Sequence, residues 1–230
     1  MSPDNKIPQA IVQLLNSKAV VKQDVYASTH RYFEILKDVL KEVVEIYNPK
    51  VQPNDQRLEL AYTDKGEFVV QLKVAGDVLV FHMHTNAFVF DRDHEVWKSE
   101  YVTNNLTNAY CGVINIYNFL HDSFRYNRLN DLGYLIARVF INKDGHYFVE
   151  GKRQKGTGIN HFGTSVMNEE NWKQIVETAV LYALEFDLLV PPYDDMKIIS
   201  LMQMTDEMLN SRMRTGKRLG FIYNSDDVKQ

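Results

Sequence analysis

The sequence predicts an α+β fold, in which an antiparallel meander sheet is flanked by N-terminal and C-terminal amphipathic helices. Two patterns carry that expectation. Apolar residues recur every three or four positions near both ends of the chain, the period of a helix with one buried stripe. Between them lie short alternating runs separated by turn signals. Those connections are too short for a parallel crossover, which needs a dozen residues or more, so neighbouring strands must pair antiparallel.

Taken in order, the segment Ile7–Val21 can form a short helix with Ile11, Leu14 and Leu15 on one side. From about Asp24 to Tyr47 the spacing of Phe33, Leu36, Leu40, Val43 and Tyr47 predicts a longer amphipathic helix, stopped by Pro49 and Pro53. Arg57–Thr63 alternates as a strand, Asp64-Lys65-Gly66 turns the chain, and Phe68–Val74 returns it. A turn at Ala75-Gly76-Asp77 leads to a strand over Val78–Thr85, and another at Thr85-Asn86 leads to Ala87–Phe90. Asp91–Asn108 is polar and irregular, the expected long loop or lid. Tyr110–Phe119 reads as a strand or buried turn region. The clearest hairpin is Tyr134–Asn142 with His146–Arg153, and Asp144-Gly145 suits a two-residue type I′ turn. Asn168 is placed to cap a helix with Trp172, Ile175, Val176, Ala179, Ala183 and Phe186 on one stripe, ended by Pro191-Pro192. A last helix is expected over Asp194–Arg212. These elements form a single domain over 1–230, helical in 1–50, mainly strands in 57–153, helical again in 168–212, with a polar tail in 213–230.

Composition narrows the function classes. The 230 residues are 45% hydrophobic and 24% charged, with a net charge of −4, which argues against a broad basic face for nucleic acid. The single cysteine, Cys111, cannot form an internal disulfide and fits a reducing compartment. No secretory leader pattern opens the chain and no apolar run approaches the ~18 residues of a membrane span, so the expected location is the cytoplasm.

Four chemistries are worth weighing. Glu150-Gly151-Lys152 with upstream Asp131 resembles the metal-binding signature of PD-(D/E)xK nucleases. With Asp144-Gly145 as the turn, however, Glu150 faces Val139, and Asp131 lies about 26 Å away along the strand. His82-Met83-His84 lies in a predicted strand, so both imidazoles share a face. With His94, or with Asp91, Asp93 or His121-Asp122, they could begin a divalent-metal site, which needs three or four ligands. Otherwise they line the polar face of a half-exposed strand, the commoner arrangement. Lys152, Arg153 and Lys155 in one glycine-bearing loop, and Arg214, Lys217 and Arg218 in another, could bind phosphate or nucleic acid. Gly156-Thr157-Gly158 matches neither a dinucleotide-binding nor a Walker loop. Nucleophilic catalysis finds no support, since no G-x-S-x-G elbow occurs and Cys111 has no sequence-local activating partner. The aromatic- and Asn-rich stretch from Tyr101 to Tyr134 fits a recognition surface, but core is the commoner use.

The stretch YNRLNDLGYLIARVFINKDGHYFVEGKRQ (126–154) is similar to a conserved hypothetical protein family of Bacteroidota, over about a third of the chain. That resemblance implies a bacterial cytoplasmic protein and carries no catalytic residues; beyond Arg153 the similarity ceases. The order of elements also resembles type III secretion chaperones and YbjN-like proteins, an analogy of architecture that suits a binding module. The expectation is therefore a non-catalytic binding or adaptor protein, with another protein as partner and no resident cofactor. A metal-dependent enzyme or sensor at His82/His84, and a nucleic-acid or phosphate binder using the basic loops, are the alternatives.

Overall fold

In the computed structural model the described residues are 6–51, 55, 57–152, 157–187, 193–198 and 200–202. They form an α+β fold around a six-stranded antiparallel sheet. The chain opens with α1 (Lys6–Leu14), a π-helical turn at Leu15–Ala19, and α2 (Val20–Tyr47). The two predicted N-terminal helices are thus one rod about 60 Å long at ~1.5 Å per residue. Its two halves differ. In α2 the stripe Val25, Tyr32, Phe33, Leu36, Val39, Leu40 and Val43 is buried, whereas α1 buries no residue.

The strands follow as β1 (Ala61–Asp64), β2 (Val69–Val74), β3 (Asp77–Met83), β4 (Cys111–Leu120), β5 (Tyr134–Asn142) and β6 (Tyr147–Gly151), in the order β1-β2-β3-β4-β5-β6. Each strand pairs only with its neighbours in sequence. Two strand expectations need correction. The Arg57–Thr63 run starts four residues late, because Asp55 accepts a hydrogen bond from the Arg57 backbone N–H (3.1 Å) and turns the chain there. Ala87–Phe90 is not a strand. By Met83 the neighbouring edge of β4 is already paired with β3, so this segment reaches only the end of β4, through an isolated Phe88–Cys111 bridge.

One face of the sheet, here the front, packs against α2 and α5 (Glu169–Glu185). Leu72, Leu79, Phe81, Ile114, Ile116 and Val139 meet Phe33, Leu36, Trp172, Ile175 and Val176 in the main core. Close approach is required of α2: a Cβ on Gly112 in β4 would lie 2.1 Å from the Thr29 hydroxyl oxygen. The α5 cap is as expected, with Asn168 Oδ1 accepting from the Asn171 N–H at 2.8 Å.

Among the described residues the opposite, back face is covered over part of its area only. The 87–109 excursion between β3 and β4, expected as an irregular loop, contains 3₁₀ turns at Glu95–Lys98 and Leu106–Ala109 and the short helix α3 (Glu100–Asn104). It inserts Val96, Val102 and Ala109 against Cys111, Val113, Phe140, Phe148 and Phe162, making a second core. Helix α4 (His121–Arg125) follows β4. Of the expected last helix, α6 (Tyr193–Met196) and residues 201–202 are described as helical, and 203–212 and the tail lie outside the described residues. No described helix is long and apolar enough to cross a membrane.

Candidate functional site

The hairpin register decides what the back face presents. Ile141 pairs with Tyr147 and Arg138 with Glu150, leaving three loop residues, Lys143 to Gly145. Gly145 takes φ +80°, and its N–H bonds to the Asn142 carbonyl at 3.1 Å, the signature of a type I turn closed by a left-handed residue. Asn142 Oδ1 accepts from the N–H groups of both Asp144 and His146, each at 3.0 Å, and so selects this turn over the two-residue alternative. The register is one residue off the two-residue expectation. Glu150 faces Arg138, not Val139, and the two side chains form an ion pair at 2.5 Å. Asp131 is held elsewhere, by the Ser123 hydroxyl at 2.7 Å and near Arg128 at 3.7 Å. No carboxylate pair forms, so the nuclease resemblance has no structural counterpart.

The histidines separate into two groups. His82 is on the back face of β3, and burial, followed by the charge of His84, holds its pKa below the usual histidine value. His84 lies just past the end of β3, its ring centroid 6.5 Å from that of His82 and 4.7 Å from that of Phe88. Its Nδ1 accepts from the Asn86 N–H at 3.1 Å, so one ligating nitrogen is used in the turn. His94 caps the first 3₁₀ turn through Nδ1, which accepts from Val96 N–H at 3.2 Å, and stacks on Phe90 at 4.5 Å. Its Nε2 approaches Glu150 at 3.5 Å. Among the described residues no group of three or more His, Cys, Asp or Glu could hold a metal ion, so His82, His84 and His94 are not assembled as one ligand set.

Lys152 is exposed in the turn after β6, while Arg153, Lys155, Arg214, Lys217 and Arg218 lie outside the described residues. Cys111 is fully buried in the second core, where desolvation raises its thiol pKa far above the ordinary range. A thiol held neutral in that way is a packing group and not a nucleophile.

What the back face does bring together is a surface. Strand register sets Gln71, Val80, Tyr117 and Leu135 side by side across β2 to β5. The next row on one side holds Lys73, Val78 and Phe119; on the other it holds Val69, His82, Asn115, Arg138 and Glu150. Val80, Tyr117, Phe119 and Leu135 belong to neither core, and Leu135 is 44% exposed. Phe124 of α4 stands against Phe119, ring centroids 5.5 Å apart, and extends the aromatic strip past the end of β4. Sequence reading assigned this stretch to core by frequency. The signal that separates it is the alternation Asn115, Tyr117, Phe119 against Ile114, Ile116: one side of β4 is aliphatic and the other amphipathic.

The chain matches no known protein family, and neither the curated proteins nor the solved structures contain a significant match to it.

Proposed function

We propose that this chain is a non-catalytic binding or adaptor protein, and that its partner is another protein held against the open half of the sheet's back face. The observation that carries the reading is the Val80–Tyr117–Leu135 row, which lies across three strands and is buried by neither core. An apolar, aromatic centre ringed by Gln71, His82, Asn115 and Arg138 has the anatomy of a protein interface, in which a few rigid rings anchor and polar groups exclude water at the rim. The overall charge of −4 and the Arg138–Glu150 pairing favour a protein over a polyanion on this face. The lone cysteine and the resemblance of the 126–154 stretch support a bacterial cytoplasmic setting.

The test is capture from lysate with immobilised wild-type protein and with a Tyr117→Ala/Leu135→Asp variant of unchanged circular dichroism. A defined protein retained by the first and lost by the second is the expected result. Equal capture by both, or retention of RNA that falls away steeply between 50 and 200 mM salt, would overturn it. Elemental analysis of the untagged protein and of a His82→Ala/His84→Ala variant is a parallel check: about one metal per chain, lost in the variant, would move the function to a metal site.

A further inference from the structure

We infer that His84 and His94 form a pH-sensitive latch on the 87–109 excursion, holding it over the second core while their rings are neutral and releasing it on acidification. The latch consists of two hydrogen bonds of one kind. His84 Nδ1 accepts from the Asn86 N–H at 3.1 Å, and His94 Nδ1 accepts from the Val96 N–H at 3.2 Å. A backbone N–H can only donate, so both rings carry a bare Nδ1 and hold their proton on Nε2. An imidazolium donates from both nitrogens and accepts at neither. Protonation therefore removes both bonds and turns N–H against N–H at each place.

The two bonds stand where the excursion is fastened. The first shapes the chain as it leaves β3, beside Phe88, which bridges to Cys111 at the end of β4. The second opens the 3₁₀ turn Glu95–Lys98, which inserts the fully buried Val96 into the second core. A third turn of the same excursion is built alike without a titrating group. There Asn105 Oδ1 accepts from the Thr107 N–H at 3.1 Å and caps Leu106–Ala109. An amide oxygen keeps such a bond between pH 5 and 8, the interval in which histidine changes charge.

The surrounding charges leave that sign in place. Glu150 lies 3.5 Å from His94 Nε2 and draws a charged ring, but it is partly exposed and already paired with Arg138. Its pull is smaller than the loss of a cap. Asp91, Arg92, Asp93 and Glu95 flank His94 in sequence and are exposed. His84 faces His82 of β3, ring centroids 6.5 Å apart, and Lys22 and Tyr26 of α2 line the groove beside Asn86. Burial, with the His84 charge, holds the His82 pKa below the usual value, so His82 stays neutral as His84 charges. His146 behaves differently: its Nδ1 meets the Ser165 carbonyl at 3.1 Å, where a donor is needed, and its packing on Tyr101 survives protonation. The open excursion accepts protons that the latched one cannot hold at Nδ1, so the latch is complete at alkaline pH and weakens as the pH falls. Release uncovers Val113, Phe140 and Phe148, one row beyond His82 and Arg138, and so enlarges the open back face. Only the use of that enlarged face rests on the partner reading above.

The experiment is hydrogen exchange read by mass spectrometry on the full chain at pH 5 and pH 8, corrected for the intrinsic pH dependence of exchange. In the wild type, amides of 84–99 are expected to lose about tenfold in protection at pH 5, while those of β4 are unchanged. His84→Asn/His94→Asn keeps both acceptors, as Asn105 does, and is expected to stay protected at both pH values. Equal protection of the wild type at the two pH values overturns the inference. So does an acid-induced loss that persists in the Asn variant, or one shared equally by β4. Nitrogen-15 spectra of the wild-type imidazoles give a reading that needs no variant: at pH 8 both rings are expected as the Nε2–H tautomer, and an Nδ1–H ring at either position overturns the latch.

Discussion

The two faces of the sheet are built from the same strands by alternation, interrupted where the β4–β5 register shifts between Ile116 and Tyr117, yet they have different fates. On the front, Leu79, Phe81, Ile114 and Ile116 disappear under α2 and α5. On the back, the same strands contribute two unlike zones: Cys111, Val113, Phe140 and Phe148 sealed by the 87–109 excursion, and Val80, Tyr117 and Leu135 left open. The difference teaches that burial here is decided less by the strands than by what the connections lay over them. Apolar strand positions of similar character end as core, secondary core or surface according to which helix or loop crosses them.

That comparison can be broken from the front first. Phe81→Ala, at a position with no solvent exposure, is expected to cost about 3–5 kcal/mol, read as a lowered urea midpoint at unchanged slope. In the second core the expected event is local. Cys111 in the native protein should resist a thiol reagent, because burial keeps the thiol neutral and inaccessible. Val96→Ala loosens the excursion and is expected to raise the labelling rate about tenfold, about 1.4 kcal/mol of local opening, with much less change in global unfolding; parallel changes in both would show that excursion and sheet open as one unit.

Tyr101 ties the excursion to the hairpin turn. Its hydroxyl oxygen accepts from the Asn142 amide at 2.9 Å, and the hydroxyl donates to Asp144 at 3.2 Å. Burial, with the Asp144 charge adding to it and the Asn142 bond opposing, pushes its pKa up to about 12. A phenol whose folded pKa is raised above the unfolded value of 10.0 stabilises the fold fully below pH 10 and loses that contribution between pH 10 and about 12. Tyr101→Phe should cost about 1 kcal/mol near neutrality and flatten the alkaline limb of the stability profile; an unchanged limb would assign the pH dependence to other groups. The smallest effect belongs to the open zone. Tyr117→Ala is expected to move stability by less than about 0.5 kcal/mol, as for surface positions, while abolishing partner capture. A loss as large as that of Phe81→Ala would make this zone core after all.

How much of this was legible in the sequence follows from the range of each interaction. The helices and five of the strands follow from periodicity, because burial of one side leaves its spacing in the chain. The Asn168 cap is equally local. The hairpin register slipped by one because the Asn142 side chain chose between two turns that Asp144-Gly145 both permit, and a one-residue slip changes the residue facing Glu150 from Val139 to Arg138. The second core was hidden because Val96 and Val102 stand in a mostly polar run whose apolar residues, Trp97, Tyr101 and Leu106 among them, follow no repeating period. The open row was hidden for a different reason: an amphipathic strand position looks the same whether or not a loop later crosses it. His82, His84 and His94 are near one another in sequence, but one capping bond and one stacking contact hold His94 at Glu150 and Phe90.

The meander also sets how the molecule can assemble. Since every strand pairs only with its sequence neighbours, no pairing waits for a distant segment, and the sheet can grow one hairpin at a time as the chain leaves the ribosome. The excursion between β3 and β4 is the longest closure in that zipper, followed by the α4-bearing connection between β4 and β5, though doubling a loop adds only about 0.6 kcal/mol. The front layer is different: α2 is made first and α5 last, so the main core closes only when residues 169–185 arrive. Until then the front of the sheet has one of its two covering helices, and the growing chain presents Leu79, Phe81 and Ile114 to whatever is nearby.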